Sequence, residues 1–593
     1  MNAIRTAAQN IGQTIARRAP KVPPSLQGLL LTAITMGLLL ASGPQSYNGY
    51  VIQLICVYAV AALGLNITTG FAGALSLGQG AAFALGAYVT AVLAGTYEWP
   101  FWLALLLGAV SGLVAGAATG FPAGRLGVIG LAMISLGLVL VVNDMLIQFR
   151  GVTGGMFGIS GIDARLWFKG EPVGSLWVVP AAIAVVTGLC FWLHSRYRLS
   201  RLGQATVAVR DEPIGASALG VSGYLTKVAA FAAGSAFAAL GGGLFAYLSA
   251  YISPDAFSPN LSILFLVMVV LGGSGSRLGP LAGALILVLV PLQLDEYPHV
   301  NTIVYGLLLI VLMRLRPRGL FSRSAAPAPK ALQAITDAPP APEQTPRKPG
   351  EPVLEVHDVK RSFGGVYALN GVSLTVHSGE IVGLIGPNGS GKTTLLNVVT
   401  GHYPPTSGSI TLHNEELGRQ SPEAIARRGI ARTFQTPKTF PGMSIEEHLA
   451  LATRHDADPE LLSACRQAVR TLLELGGLDP HDRAAMTRES RAMSHGQLRF
   501  LEAATAISGC PRVLLLDEPA AGLSASEIEG FERVVADVAA AGVAVVVVEH
   551  HLDMIGRLVD RVVVLDLGTV LWEGPPAELH DVDSVRAAYM GVR

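Results

Sequence analysis

Charge is confined to one half of the chain, and that limits what it can fold into. Residues 26–313 hold only 19 Asp, Glu, Lys and Arg side chains, whereas residues 314–593 hold 61. A water-soluble chain averages about 25% charged residues. The first half therefore reads as solvated by lipid and the second by water. A length of 593 residues independently requires more than one core. The zero net charge hides an asymmetry, +10 over residues 1–350 and −10 over 351–593. A basic membrane portion suits an anionic cytoplasmic leaflet. Neither half carries a nucleic-acid-binding stripe, so no nucleic acid partner is expected. The four cysteines, Cys56, Cys190, Cys465 and Cys510, show neither metal spacing nor a disulfide framework.

Apolar stretches recur at 26–43, 49–67, 71–94, 101–120, 127–147, 174–194, 226–250, 261–273, 278–294 and 301–313. Since ~20 residues cross a bilayer, about ten spans are expected. The stretches at 261–273 and 278–294 are short and Gly-broken, so a re-entrant pair is the alternative there. Basic residues orient the spans. With residues 1–25 as a cytoplasmic segment, the inner loops hold Arg125, Arg196, Arg198, Arg201, Arg210, Lys227 and Arg277. Segments 44–48, 251–260 and 295–300 hold no Lys or Arg and fall outside. No small-residue cleavage site follows the first apolar run, so it is not read as a cleavable signal. Glycines such as Gly241-Gly242-Gly243 suit close helix packing. At Gly272-Gly273-Ser274-Gly275 a broken helix lining a path is the sharper reading. Asp144, the one acid deep in a span, has either an interface or a path-lining role.

Residues 322–350 are Pro- and Ala-rich and read as a semi-rigid linker. The expected fold class is a polytopic α-helical membrane domain over 26–321, then an α/β domain over 351–593, in which Gly386–Thr394, reading G-x-x-x-x-G-K-[ST], points to a P-loop ATPase. In the latter, a buried strand at 381–385 runs into Gly386-Pro387-Asn388-Gly389-Ser390-Gly391-Lys392-Thr393-Thr394. This is G-x-x-x-x-G-K-[ST] in its expected strand–helix context. The glycines let successive backbone N–H groups wrap phosphate oxygens, and the helix N-terminus adds positive potential. Lys392 neutralises the β/γ-phosphates of ATP, and the Thr393 hydroxyl suits Mg²⁺. A second apolar strand ends in Asp517-Glu518, where the aspartate suits Mg²⁺ and the glutamate suits polarising a water. A third ends in Glu549-His550; a histidine there is either structural or a γ-phosphate sensor.

With these elements in order, the second half resembles the ATPase subunit of an ATP-binding-cassette transporter. The further counterparts are Gln435 in Arg432-Thr433-Phe434-Gln435, the signature stretch Met493-Ser494-His495-Gly496-Gln497, and Phe363 in Ser362-Phe363-Gly364-Gly365. The resemblance implies that Phe363 stacks on adenine and that Ser494, Gly496 and Gln497 meet a nucleotide held by a partner ATPase. It also implies a Mg²⁺ and catalytic role for Gln435, with Glu518 and His550 completing the catalytic set. His495 replaces a glycine of the family pattern, and Ser524 an aspartate. Glu518-Pro519-Ala520-Ala521-Gly522-Leu523 and Val548-Glu549-His550 are most similar to the branched-chain amino-acid branch. The first half resembles the matching permease through Gly64-Leu65-Asn66-Ile67-Thr68-Thr69-Gly70, Gly73-Ala74-Leu75-Ser76, Thr153-Gly154-Gly155 and Pro317-Arg318-Gly319-Leu320. Residues 210–220 resemble the cytoplasmic segment that docks on the ATPase.

The implied function is ATP-driven import of a small solute, most similar to branched-chain amino acids, with urea or amides as alternatives. The implied partners are a second permease and a second ATPase subunit (or a second copy of this chain) and an extracytoplasmic solute-binding protein. The implied location is the bacterial cytoplasmic membrane, with the ATPase in the cytoplasm. An exporter half is the main rival, but its helices are usually six, long and charged at their cytoplasmic ends. A soluble ATPase on an inert anchor would need only one span.

Overall fold

The structure, a computed structural model, describes residues 24–123, 127–173, 176–292, 306, 310, 311, 314, 319–321, 350–453 and 458–581. The linker expected at 322–350 and most of the last apolar stretch lie outside the described residues. Two compact units emerge. One comprises the chain to Thr206 and Tyr224–Ser324; the other comprises Val207–Gly223 and Ala325 onward.

The first unit is helical: α1 (Pro24–Ser42), α2 (Tyr47–Leu65), α3 (Gln79–Ala91), α4 (Phe101–Ala123), α5 (Val128–Gln148), α6 (Val178–Leu199), most of α7 (Arg201–Asp211), and, past a segment of the second unit that contains α8 (Pro213–Ala218), α9 (Gly223–Ser249), α10 (Pro259–Gly272) and α11 (Gly279–Leu292). Six helices among the described residues, not about ten, are long and apolar enough to cross a bilayer: Tyr47–Phe71, Gln79–Thr96, Phe101–Pro122, Ile129–Gln148, Val178–Leu199 and Gly223–Ser249. Two things separate the numbers: the expected span at 301–313 lies mostly outside the described residues, and hydropathy does not measure helix length. Of the stretches near 261–273 and 278–294, the second is described as α11 only to Leu292, where the described residues end, and the first forms α10, of 14 residues. At 1.5 Å per residue such a helix is about 21 Å long, short of a ~30 Å hydrocarbon core. Gly273, at φ 115°, ends α10 and turns the chain back into α11.

Small residues let these helices touch. Gly108, Gly112 and Gly116 form one ridge of α4; Cβ atoms there would press on Thr90, Ala239 and Ser235. Outward faces are the reverse, with Ile129, Met133, Leu29 and Val114 all more than 60% exposed. Such apolar faces belong in lipid. Asp144 is exposed, near the end of α5. None of the four cysteines forms a disulfide.

The second unit has two sheets. Its strands are β1 (Pro352–Phe363), β2 (Val366–His377), β3 (Ile381–Ile385), β4 (Ser407–Leu412), β5 (Glu415–Glu416), β6 (Ile430–Arg432), β7 (Val513–Asp517), β8 (Ala544–Val548), β9 (Arg561–Asp566) and β10 (Thr569–Gly574). An antiparallel sheet has the order β2-β1-β4-β5, and a mostly parallel sheet the order β10-β9-β3-β8-β7-β6. β3, β7 and β8 are buried along their whole length. This explains their uninterrupted apolar runs, as strands covered on both faces require. Helices α12 (Lys392–Val399), α13 (Pro422–Arg428), α14 (Ile445–Ala452), α15 (Pro459–Leu475), α16 (His495–Ser508), α17 (Ala525–Ala540) and α18 (Leu552–Leu558) pack with these sheets, and a single helical turn spans Arg483–Met486. Capping boxes start three of them: Ser444 with Glu447, Ser494 with Gln497, and Ser524 with Glu527. The box gives Ser524 a local role that its sequence position did not disclose.

Candidate functional site

β3, β8 and β7 are adjacent and parallel, so their carboxyl ends bring together three loops. This edge is where open α/β sheets bind ligands. The first loop runs from Gly386 into α12. Gly389 and Gly391 sit at φ 83° and 108°, in the left-handed region open to glycine. At Gly391 a Cβ would also stand 2.6 Å from the Ala368 carbonyl. The Lys392 ammonium donates to the Gly386 and Pro387 carbonyls at 2.7 and 3.0 Å, lying across the loop. Burial lowers its pKa, against the raising influence of Glu518 and Asp517. Asn388, Gly389 and Thr393 are exposed, Thr394 is half-buried, and Ser390 is buried.

Asp517 and Glu518 close β7. The Asp517 carboxyl is buried and takes a 3.0 Å ion pair from Arg432. Burial raises its pKa, and Arg432 opposes that shift. The Glu518 carboxylate lies between two donors: Gln435 Nε2 donates to Oε2 at 2.9 Å, and His550 Nε2 is 3.0 Å from Oε1. Glu549 fixes the third loop by accepting from the Ala520 and His550 N–H groups at 2.8 and 3.0 Å. The structure thus gathers Gln435, Asp517, Glu518, His550 and Lys392, which are spread over more than 150 residues of sequence.

The remaining expected residues lie apart from this cluster. Phe363 is 40% exposed, with the Arg361 guanidinium 4.6 Å over its ring and Tyr403 edge-on at 5.2 Å. Ser494 caps α16, accepting from Gln497 N–H at 3.3 Å, while the Gln497 side chain accepts from Ser494 N–H at 3.1 Å. The Gln497 amide N–H also donates to the Gly476 carbonyl at 3.2 Å, so this side chain has structural work in its own chain. Three polar side chains have no role in the sequence reading: Arg432, which appears there only as a neighbour of Gln435, and Arg499 and Glu502 on α16. Arg499 Nη1 and Nη2 donate to the carbonyls of Glu518 and Gln435 at 2.8 and 2.9 Å. Glu502 accepts from the Lys438 and Phe434 N–H groups at 2.7 and 3.3 Å. Burial pushes its carboxyl up to about 8, although these N–H donors and Arg499 and Arg432 pull it down.

Among the described residues no three His, Cys, Asp or Glu side chains cluster as a metal cage. The donors present are one carboxylate (Asp517), one hydroxyl (Thr393), and the amide oxygen of Gln435, whose N–H is engaged by Glu518. Few and all oxygen, they fit an ion that completes its shell with water and phosphate, as Mg²⁺ does.

The second unit also includes residues 207–223. There Asp211 accepts from Gly442 N–H at 2.6 Å, Glu212 pairs with Lys438 at 3.5 Å, and Arg427 donates to the Gly220 carbonyl at 3.0 Å.

Residues 49–313 match the family described as the permease component of the branched-chain amino acid transport system, and residues 369–521 match the ABC transporter family. The high-affinity branched-chain amino acid transport ATP-binding protein BraF of Pseudomonas aeruginosa is 36% identical over 250 residues, which are 40% of this chain and 98% of that protein. The corresponding LivG protein of Escherichia coli is 34% identical over 255 residues, 41% of this chain and 98% of its own length. A solved nucleotide-free cassette from an ABC transporter is 27% identical, covering 40% of this chain and 99% of its own, with a TM-score of 0.35. A nucleotide-binding ATPase joined to a multi-pass membrane permease defines the class, and the chain belongs to the ATP-binding-cassette transporter family. Within it, one polypeptide carries both a permease and an ATP-binding component, and ATP hydrolysis coupled to transport is its activity.

Proposed function

We propose that the chain imports branched-chain amino acids across a bacterial cytoplasmic membrane, taking them from an extracytoplasmic binding protein. One chain supplies one permease and one ATPase, so a second of each completes the transporter. Both halves of the chain independently match components of that one system, which supports the substrate reading.

The observation that carries the hydrolytic reading is the Glu518 carboxylate held between Gln435 and His550 at the strand edge. On this reading Phe363 stacks on the adenine, and the N–H groups of residues 388–394 cradle the phosphates. Lys392 exchanges its two loop carbonyls for β- and γ-phosphate oxygens, bringing a cation to the developing charge. Glu518 accepts a proton from the attacking water, and His550 holds that carboxylate in place. Mg²⁺, held by Thr393, Asp517 and Gln435, would neutralise phosphate charge. Ser494 and Gly496 close the site on the partner's nucleotide, where a helix N-terminus favours an anion. Residues 207–223 carry the closure to the permease.

Glu518→Gln should keep ATP affinity within about threefold while steady-state hydrolysis falls at least 100-fold. Lys392→Ala should instead abolish binding of a fluorescent ATP analogue. Near-normal turnover by Glu518→Gln would remove the catalytic assignment. Uptake of labelled leucine into proteoliposomes, driven by ATP and the binding protein, tests the substrate.

A further inference from the structure

We infer that Arg499 and Glu502 are positioning residues for hydrolysis, which hold the backbone of Glu518 and both ends of the Phe434–Lys438 loop to one face of α16. The inference rests on the reading of Glu518 as the base.

The two side chains lie three residues apart, so they share a face of the helix. Both are buried, at 4% and 7% exposure. The single Arg499 fork reaches the Glu518 carbonyl at 2.8 Å and the Gln435 carbonyl at 2.9 Å. A planar guanidinium fixes two acceptors relative to each other, which a lysine ammonium does not do. The acceptors belong to the two residues whose side chains meet at 2.9 Å. Glu502 holds the flanking N–H groups of Phe434 and Lys438, so the loop is gripped on both sides of Gln435.

Backbone geometry explains why such a grip is needed. Glu518 sits at φ 49°, a left-handed conformation that a glutamate rarely adopts. Strain of this kind persists only where the surroundings over-determine it. Here the Glu518 N–H donates to the Val548 carbonyl at 2.9 Å, and its own carbonyl accepts from Arg499. Arg499 is therefore one of the anchors of the Glu518 backbone, beside the Val548 carbonyl and the Ala521 N–H, while Gln435 and His550 hold its carboxylate. The same helix begins at the Ser494 cap, so its N-terminus and the pose of the base belong to one rigid element. A nucleotide engaging the start of α16 and a correctly aimed Glu518 are then coupled states of one helix.

The test uses the full transporter with its partner subunits in lipid. Arg499→Met should lower kcat at least 30-fold with the ATP KM within twofold, whereas Arg499→Lys should lower kcat less, about 3- to 10-fold. A shape-filling role would leave kcat alone. Combining Arg499→Met with Glu518→Gln should change the residual single-turnover rate less than twofold, because the arginine acts through the glutamate. Wild-type kcat in Arg499→Met, or losses that multiply in the double variant, would overturn the proposal. If Arg499→Met does not fold, Arg499→Lys and Glu502→Gln take its place: kcat losses at unchanged KM uphold the proposal and wild-type kcat in both overturns it. Failure of the base assignment reads differently, as normal turnover in Glu518→Gln alone.

Discussion

Gly496 has little reason within its own fold to be glycine: a Cβ built there would meet only Leu523 Cδ2, at 4.0 Å. Its φ is not in the left-handed region either. On the proposed reading, an anion approaching the start of α16 supplies the missing reason. Gly496→Asp should therefore leave the thermal unfolding midpoint within about 2 °C while ATPase activity falls to background, because the carboxylate repels phosphate rather than disturbing packing. A matching loss of stability would instead make Gly496 a packing residue. His448 permits a second prediction at this scale. It is buried in α14, with Nδ1 2.7 Å from the Ser444 carbonyl and Nε2 accepting from Phe440 N–H at 2.9 Å. Only the neutral ring satisfies both bonds. Burial lowers its pKa to about 4, with Ser444 and Asp211 opposing. The folded state thus binds fewer protons than an unfolded chain near 6.5, so this stability is full above pH 6.5 and lost as pH falls toward 4. Urea unfolding of the ATPase unit in the intact chain should lose about 2 kcal/mol of it between pH 7 and 5. His448→Gln should flatten that slope; parallel curves would exclude the assignment.

At the scale of elements, the turn between α10 and α11 is held by a side chain from far up the chain. Asn66 opens a π-helical turn, Asn66–Phe71, at the end of α2. Its Oδ1 accepts from Gly275 N–H at 2.8 Å, and its Nδ2 donates to the Ser276 carbonyl at 2.9 Å and lies 3.0 Å from His194 Nε2. Asn66→Ala orphans a buried N–H and a buried carbonyl, at a cost of about 1–3 kcal/mol each. The detergent-solubilised chain should melt several degrees lower and lose uptake. In the 207–223 segment, a Cβ at Gly215 would stand 2.6 Å from the Lys438 carbonyl. Gly215→Asp should reduce uptake at least tenfold; unchanged uptake would make the segment a simple connector. These elements also show what sequence reveals. The phosphate loop and its buried strand are contiguous, and their chemistry demands particular residue types, so they are legible. Arg432 and Asn66 stand inside stretches that carry the resemblance and Arg499 does not, but the partners of all three lie 19 to 210 positions away, and no local pattern announces what they hold. The spans were overcounted for a related reason. Composition reports what a segment dissolves in, whereas its length depends on where Gly273 turns the chain.

For the whole molecule, the decisive feature is that the second compact unit is discontinuous in sequence. Its first contribution, 207–223, leaves the ribosome about 215 residues ahead of Lys438, the residue that pairs with Glu212. At 5–20 residues per second this delay is roughly 10–40 s. Through that interval a segment that packs within the second unit waits without the rest of it, open to any related ATPase already present. Carrying its own ATPase on the same polypeptide answers that competition. Tethering raises the local concentration of the correct partner toward the millimolar range, so fidelity of assembly follows from covalent linkage without a tighter interface. Severing the chain within residues 322–350 and co-expressing the pieces should preserve hydrolysis by the ATPase piece, while uptake becomes sensitive to overproduction of a foreign cassette.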